Sequence, residues 1–219
     1  MNVLAIDSST DILSVALQTD AGIVEASLDI GLRHAEKVMG MVDYCLAASG
    51  LARADIGLVA CARGPGSFTG LRIGMAASKG IAAALSLPWI SVPSLDAFAW
   101  GYDWFDGAVA PIIDGKKGRV YSAVYLRGRR VSDWLDISLA KLASLLDTYP
   151  EALATGPDAE LFCGIAAERS GFRVDDRARA PAARAIALLA LQGYLRDGAG
   201  STDEGPLYLR PVEAEETAS

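Results

Sequence analysis

The opening of the chain constrains its fold more than any other feature, because it predicts three strands in immediate succession. An apolar run over residues 2–6 ends at Asp7, and the polar turn Asp7-Ser8-Ser9-Thr10-Asp11 follows it. Residues 12–18 and 23–28 predict two more strands, joined by the hairpin loop Asp20-Ala21-Gly22. Strands joined by such short turns pair as antiparallel neighbours. We therefore expect a sheet in which strand 12–18 runs antiparallel to strand 2–6.

The same pattern returns in the second half of the chain. Residues 108–113 form an apolar run that ends in Asp114, and the polar turn Gly115-Lys116-Lys117-Gly118 follows it. Two more strands are predicted over 119–126 and 129–135, joined by a turn at Arg127-Gly128. The recurrence is one of topology and not of residue identity. It indicates two halves that begin in the same way.

Helices and single strands alternate after each of these openings. The predicted elements are a helix over 33–49 closed by Gly50, a strand over 58–62, a helix over 68–85, a strand over 89–92, a helix near 138–148, a strand near 152–155 and a helix over 182–196. This order predicts two αβ lobes, residues 1–106 and 107–219, the second ending in an acidic tail over 212–219. Two such lobes form the architecture of the actin, Hsp70 and sugar-kinase (ASKHA) superfamily. A doubly wound sheet with accidental hairpins is the alternative.

The acidic composition bears on what the chain can bind. The 219 residues have a net charge of −7 and a sequence pI of about 4.7. Contacts of Lys and Arg with phosphates dominate the affinity of proteins for nucleic acid. We therefore expect this chain not to hold RNA by itself, so that another subunit must supply the main basic surface.

Three observations favour the cytoplasm and argue against a membrane location. Asp7 interrupts the N-terminal apolar run too early for a signal peptide, and no basic segment precedes it. The longest later apolar stretch, 185–191, is far shorter than the roughly 18 residues of a spanning helix. Cys45, Cys61 and Cys163 are odd in number, show no CxxC spacing and lie in apolar runs, which predicts buried, reduced thiols.

The chain contains one histidine, His34, and this count argues against several classes of enzyme. A zinc hydrolase needs two or three imidazoles as a rule. A nucleophilic triad would have to use His34, which lies beside Arg33 at the start of a predicted helix, where a solvated or capping role is expected. We predict no catalytic residue and no metal site in this chain.

A glycine loop is the first of two weak candidates for contact with a nucleotide. Gly64, Gly66 and Ser67 lie between a predicted buried strand and the helix that Ser67 can cap. Free N–H groups at such a helix start favour a phosphate. Ordinary turn chemistry accounts for the residues equally well, because the loop lacks the lysine of a P-loop.

The turn after the first strand is the second candidate. Asp7, Ser8, Ser9 and Thr10 could hold a hydrated cation and phosphate oxygens, with Asp114 facing them from the second lobe. The lysines after Asp114 replace the glycine- and threonine-rich loop of an active ATPase. We expect no required cofactor, at most weak ATP or ADP binding shared with partners, and no hydrolysis by this chain alone.

The two long helices of the first half predict a partner surface. Small side chains follow one side of the second helix and let another helix approach closely. The alternative is that all the apolar and small side chains of both helices pack within the protein. The candidate interface residues are Val38, Met41, Val42 and Cys45 on the first helix and Gly70, Leu71, Gly74, Ala77 and Ile81 on the second.

These motifs together resemble the TsaB (YeaZ) family, the degenerate relatives of the TsaD/Kae1 enzymes. The matching segments, in order along the chain, are Ile6-Asp7-Ser8-Ser9-Thr10 with Ser14-Val15-Ala16-Leu17, the block GPGSFTGLRIG from Gly64 to Gly74, Asp114 to Tyr121, and Pro206-Leu207-Tyr208-Leu209-Arg210. The 114–121 segment departs from the more usual family pattern, which is closer to DARxxEVY.

The resemblance implies a two-lobed actin-like protein that acts in the formation of N6-threonylcarbamoyladenosine in tRNAs reading codons that start with A. It implies a scaffold and activator that binds the catalytic subunit TsaD through the N-lobe helices, with the ATPase TsaE joining the assembly and tRNA reached only through the complex. Without TsaD, the same face is expected to form a homodimer. A stand-alone metalloprotease and a small-molecule kinase of the superfamily are the alternatives.

Overall fold

The computed structural model describes residues 1–31, 33–175 and 179–210, and the predicted acidic tail lies outside them. The chain forms two compact units, each with its own hydrophobic core. Of the described residues, the first unit comprises Met1–Ala97 and Pro181–Pro206, and the second comprises those of Phe98–Ala180 and 207–210. This division differs from the predicted single boundary between residues 106 and 107, because the chain returns to the first unit.

A five-stranded mixed sheet forms the centre of the first unit. Its strand order is β3-β2-β1-β4-β5, and β1 is parallel to β4. β1 is antiparallel to β2, which confirms the predicted pairing of strands 2–6 and 12–18. Between Val3 and Ala99, the elements in chain order are β1 (Val3–Asp7), β2 (Ile12–Thr19), β3 (Gly22–Asp29), α1 (His34–Ser49), a 3-10 turn (Arg53–Asp55), β4 (Leu58–Gly64), α2 (Phe68–Leu85), β5 (Trp89–Pro93) and α3 (Ser94–Ala99).

Local sequence signals account for the ends of the two long helices. Gly50 ends α1 in the left-handed conformation at φ 71°, which glycine adopts without a steric penalty. At the start of α2, the Ser67 hydroxyl accepts a hydrogen bond from the Gly70 N–H, as an N-cap side chain does. Both helix bounds therefore lie where the sequence predicted them.

The second unit repeats the strand order of the first around a different core. Its main sheet has the order β10-β9-β6-β12-β13, and β7, β8 and β11 form a separate small sheet. The elements are β6 (Ala108–Pro111), β7 (Ile113–Asp114), β8 (Arg119–Ser122), β9 (Tyr125–Leu126), β10 (Arg129–Arg130), β11 (Leu135–Ser138), α4 (Leu139–Leu146), β12 (Ala152–Thr155), a 3-10 turn (Ala159–Phe162), α5 (Cys163–Ala167) and β13 (Phe172–Val174).

The second opening is more broken than the sequence predicted. The predicted strand 119–126 divides into β8 and β9, which belong to different sheets. At the division, the Val124 carbonyl accepts from the Val131 N–H at 2.8 Å, in register with the β9–β10 pairs, but the Val124 N–H donates to the Ser132 hydroxyl at 2.9 Å. This N–H is satisfied by a side chain and not by the backbone of a neighbouring strand, so the ladder of β9 and β10 ends there.

The last helix, α6 (Ala183–Asp197), returns to the first unit and packs against β1, β2 and β4. Its first N–H groups are held by the sheet: the Ala183 N–H donates to the Ser14 hydroxyl at 3.1 Å and the Arg184 N–H to Glu25 Oε1 at 2.9 Å. Every residue of β1 is buried, so both faces of the central strand are covered. This packing explains why the second predicted lobe loses its last helix to the first unit.

Candidate functional site

The turn that follows β1 is in direct contact with the start of α2. The Ser67 N–H donates to the Ser9 carbonyl at 2.7 Å, and the Ser8 hydroxyl donates to the Gly70 carbonyl at 2.8 Å. Inside the turn, the Ser9 N–H donates to Asp7 Oδ1 at 2.9 Å. The structure therefore brings together two segments that the sequence singled out separately.

Three glycines make this contact possible. At Gly66 and Gly70, an added Cβ would come closer than 3.0 Å to the carbonyl oxygens of Ser9 and Ser8, and at Gly74 it would come as close to the Ser8 hydroxyl. Gly70 and Gly74 are spaced by four residues in α2, so they lie on one side of the helix, and Gly66 lies in the loop just before it. The glycine pattern of GPGSFTGLRIG is thus explained by close packing of α2 on the chain's own turn.

This packing commits most of the groups that were predicted to contact a phosphate. The Ser67 N–H and hydroxyl have partners in the protein, as does the Ser8 hydroxyl. The Gly64 N–H donates to the Ser94 hydroxyl at 3.1 Å. A nucleotide at this place would have to compete with these hydrogen bonds, and nucleotide binding by Asp7, Ser8, Ser9, Thr10, Gly64, Gly66 and Ser67 stays a prediction.

Asp7 and His34 lie buried on either side of the same turn. Burial raises the pKa of the Asp7 carboxyl, and hydrogen bonds from Ser9 and the nearby His34 ring oppose this shift only in part. His34 Nε2 donates to the Thr10 carbonyl at 2.8 Å, and the ring is 1% exposed. The expected solvated or capping role of His34 is therefore wrong. The signal was available, because His34 is spaced by four residues from Val38 on the buried stripe of α1.

The residues predicted for the partner surface are not exposed as that prediction requires. Those on α1 pack in the core of the first unit, the leucine on α2 is buried, and both glycines are buried against the turn. The exposed fractions of Val38, Met41, Val42, Cys45 and Leu71 are 3%, 6%, 2%, 0% and 1%. Ala77 and Ile81 are partly buried against the same core. The stripe covers the chain's own sheet, which was the alternative explanation.

The opposite sides of α1 and α2 form a different surface, which we call the outer helix face. On α1 it contains Met39 and Tyr44, which are 44% and 61% exposed. On α2 it contains small exposed residues, namely Ala76, Gly80, Ala83 and Ala84. The two helices are in contact with each other, so these side chains belong to adjoining exposed faces.

The turn at Asp114 in the second unit carries its own counter-charge. Lys116 Nζ lies 2.7 Å from Asp114 Oδ2, and the Lys116 N–H donates to Asp114 Oδ1 at 2.8 Å. Although desolvation acts in the opposite direction, these contacts hold the pKa of the Asp114 carboxyl below its ordinary value. Lys116 and Lys117 both have positive φ, at 60° and 55°. An ion pair of this kind weakens the attraction of Asp114 for a cation.

Arg210, the last residue of the segment Pro206-Leu207-Tyr208-Leu209-Arg210, forms hydrogen bonds with this turn and with Asp136. Its guanidinium donates three hydrogen bonds to the Asp136 carboxylate at 3.0, 3.1 and 3.2 Å and one to the Gly115 carbonyl at 3.2 Å. Arg119 donates to the same carboxylate at 2.7 Å. Desolvation would raise the pKa of Asp136, but the hydrogen bonds from Arg210 and Arg119 outweigh it and lower that pKa.

We expect Arg210→Ala to destabilise the second unit by about 1–2 kcal/mol at neutral pH, since it removes charge-assisted hydrogen bonds to a mostly buried carboxylate. The pKa of Asp136 is lower in the folded state than in the unfolded state, so its carboxylate stabilises the fold above its unfolded pKa of about 4. That contribution disappears as the pH falls through the folded value. Urea titrations from neutral pH to about pH 3 should show the two proteins converging on acidification.

Arg196→Ala provides the control for this measurement. Arg196 pairs with Asp197, and both side chains are mostly exposed at 76% and 63%, so this variant should unfold like the parent. Equal stability of Arg210→Ala and the parent at neutral pH would contradict the role given to Arg210.

Cys45 and Cys61 are buried, as predicted, but Cys163 is exposed, so the prediction of burial is wrong for that thiol. The described part of the chain contains no group of three or more His, Cys, Asp or Glu side chains that could hold a metal ion. None of its helices is long and apolar enough to cross a membrane.

Comparison with known proteins identifies the family. A sequence model described as TsaD, tRNA N6-adenosine threonylcarbamoyltransferase, matches residues 29–164, more than half of the chain. The chain is 42% identical over 130 residues to the tRNA threonylcarbamoyladenosine biosynthesis protein TsaB of Escherichia coli. It belongs to the TsaB (YeaZ) branch of this family. The TsaB protein of Bacillus subtilis is 36% identical over 126 residues.

The extent of these matches is uneven. The alignments cover 58% and 57% of this TsaB-family chain, but 56% and 55% of the E. coli and B. subtilis proteins, so the chain spans little more than half of those relatives. The solved structure of YeaZ from Pseudomonas aeruginosa matches with a TM-score of 0.81 and 26% identity, and the match covers 95% of this chain and 99% of that one. The predicted actin-like fold class is thereby confirmed.

Proposed function

We propose that this chain is a non-catalytic accessory subunit of the bacterial complex that makes N6-threonylcarbamoyladenosine in tRNAs reading codons that start with A. The observation that carries the proposal is the state of the two loops that would hold a nucleotide in an active relative. The turn at Asp7 is packed against α2, and Asp114 is paired with Lys116. The single histidine donates to a backbone carbonyl and is buried.

The proposed partner is TsaD, and the proposed contact is the outer helix face. Met39 and Tyr44 offer exposed apolar and aromatic surface, which is enriched at protein interfaces. The small residues of α2 beside them allow the backbone of a partner helix to approach closely. This location replaces the predicted stripe, because the stripe side chains are used in the core.

The remaining partners follow from the same proposal. TsaE joins the assembly that this chain forms with TsaD, and tRNA reaches the chain inside the complex. In the absence of TsaD the outer helix face pairs with a second copy, so homodimer and heterodimer exclude each other. This chain binds ATP or ADP only weakly, and the nucleotide site is shared with the partners.

A reconstitution with single omissions tests the function. The chain is mixed with TsaD, TsaE, tRNA and threonylcarbamoyl-adenylate, and the modified nucleoside is measured by mass spectrometry after digestion of the tRNA. We expect the full mixture to modify tRNA, the mixture without this chain to lose most of that activity, and the chain alone to be inactive. Modification by the chain alone, or full activity in its absence, would refute the proposal.

The two alternative functions are tested on the isolated chain. A small-molecule kinase would turn over ATP, and a metalloprotease would cleave peptides in a manner that a chelator abolishes. We expect neither activity.

A further inference from the structure

The basic residues of this acidic protein are concentrated in one segment. Residues 115–132 contain six Lys or Arg residues and no Asp or Glu. Since the whole chain has a net charge of −7, the remaining residues have a net charge of −7 − 6 = −13. The segment runs from the turn before β8 to the residues just after β10, within the second unit.

The two ends of this segment differ in how their charges are used. At one end, Lys116 is bound to Asp114 and Arg119 to Asp136. At the other end, Arg129 and Arg130 are both exposed on β10, an edge strand of the main sheet. Among the described residues, Arg129 has no ion-pair partner. The charge at the β9–β10 hairpin is therefore available to a ligand.

Arg127 and Arg130 at the same hairpin have weak or stacking partners. Arg127 pairs with Asp106 at 3.1 Å, and the two side chains are 75% and 85% exposed, so water screens the pair and an anion can displace it. The Arg130 guanidinium lies 3.8 Å from the centre of the Trp134 ring, a stacking contact that leaves the edge of the group for hydrogen bonds. Its Nη1 donates to the Ser132 carbonyl at 2.9 Å, and the other guanidinium nitrogens remain for an anion.

An exposed tryptophan lies in the segment that contacts this hairpin. Trp104 is 66% exposed and is held edge-on against Phe105, with ring centres 5.9 Å apart. On either side of it in the chain, Asp103 lies 3.4 Å from where a Cβ on Gly128 would be, and Asp106 pairs with Arg127. The segment that carries Trp104 is therefore in contact with the hairpin, and much of the tryptophan is open to solvent.

We propose that Trp104, Arg127, Arg129 and Arg130 form an RNA-binding surface, the hairpin surface. An open indole ring can stack on an unpaired base, and neighbouring guanidinium groups can bind the phosphates on either side of it. An RNA strand matches this combination, because it carries a base and a phosphate at every nucleotide; an acidic protein is the alternative ligand, and competition with polyglutamate separates the two. The inference rests on the proposed function, in which the RNA is the tRNA that the complex modifies.

The surrounding charge sets the strength of this contact. With a net charge of −13 outside the basic segment, and with Asp103, Asp106 and Asp133 close by in the sequence, binding by the chain alone is weak and salt-sensitive. The hairpin surface therefore orients an RNA that another subunit holds. It adds a specific contact that the net charge of the whole chain does not indicate.

Titration of the full chain with a tRNA transcript at low salt tests the inference. Trp104→Ala should weaken binding about 5- to 100-fold, because the stacked base is lost. The double variant Arg129→Glu/Arg130→Glu should weaken it further and should lower the slope of log affinity against log salt by roughly 1.5. Arg53→Glu, an exposed arginine paired with Asp43 in the first unit, and Leu195→Ala, an exposed apolar residue on α6, should bind within about 2-fold of the parent.

Two results of this titration would overturn the proposal. One is unchanged binding by both hairpin variants, measured on protein whose circular dichroism matches that of the parent. The other is competition by polyglutamate that equals competition by tRNA at the same concentration of negative charge, which would assign the surface to an acidic protein.

Measurements on the complex separate this inference from the proposed function. If the complex forms and modifies tRNA, Trp104→Ala should raise the KM for tRNA at least about 5-fold, with association to TsaD unchanged. An unchanged KM would refute the hairpin surface and leave the proposed function intact. If the complex does not form, the proposed function fails, and the titration of the isolated chain still decides whether the surface binds RNA.

Discussion

Replacement of Gly70 by alanine should destabilise the first unit by about 3 kcal/mol or more, a large part of the stability of a typical domain. The new Cβ would come closer than 3.0 Å to the Ser8 carbonyl oxygen. A backbone atom cannot move aside without displacing the whole turn, so α2 must move away from Asp7-Ser8-Ser9-Thr10. The hydrogen bond from the Ser8 hydroxyl to the Gly70 carbonyl is then lost as well. Urea unfolding followed by circular dichroism measures the effect.

Gly80→Ala is the matched control for Gly70→Ala. Gly80 lies in the same helix, but an added Cβ would meet nothing within 4 Å. Alanine has the higher helix propensity, so this variant should be more stable than the parent by up to about 1 kcal/mol. Two variants with the same chemical change should thus shift stability in opposite directions. A Gly70→Ala protein as stable as the parent would show that α2 and the turn are not in contact.

Gly80→Arg should abolish association with TsaD, by at least about 100-fold, and with it most tRNA modification by the reconstituted complex. The position is exposed in the middle of the outer helix face, where a long charged side chain blocks close approach of a partner helix and is costly to desolvate. The fold should be kept, since the site has open space around it. The same variant should be monomeric without TsaD. Size-exclusion chromatography with light scattering measures both associations.

Leu195→Arg and Gly74→Arg are the exposed and the buried control for Gly80→Arg. Leu195 is 74% exposed on α6, so an arginine there should leave association with TsaD unchanged. Gly74 is buried against the Ser8 hydroxyl, so an arginine there should unfold the first unit and not merely block a partner. A folded Gly80→Arg variant that binds TsaD as the parent does would place the partner surface elsewhere.

Periodicity and turn chemistry predicted the elements of the first unit closely. Strands repeat every two residues and helices every 3.6, so the bounds of α1 and α2 could be read from the sequence, including the caps at Ser67 and Gly50. The opening turns also predicted the antiparallel pairing of β1 with β2. The second opening was less regular, because the Val124 N–H bonds to the side chain of Ser132, eight residues away, and not to a neighbouring strand.

The candidate site depended on contacts that no local pattern contains. The apolar stripe of α1 and the glycines of α2 showed which sides of the helices must be covered, but not by what. In the tertiary structure, the chain's own sheet covers the apolar stripe of α1. The turn that contains Ser8 packs against the glycines of α2, although Ser8 and Gly70 are 62 residues apart in the sequence. The physical reason is that a partner and another part of the same chain can bury an apolar stripe, or pack closely against a row of glycines, equally well. The residues that remain exposed after folding, such as Tyr44 and Gly80, are known only once the core is formed.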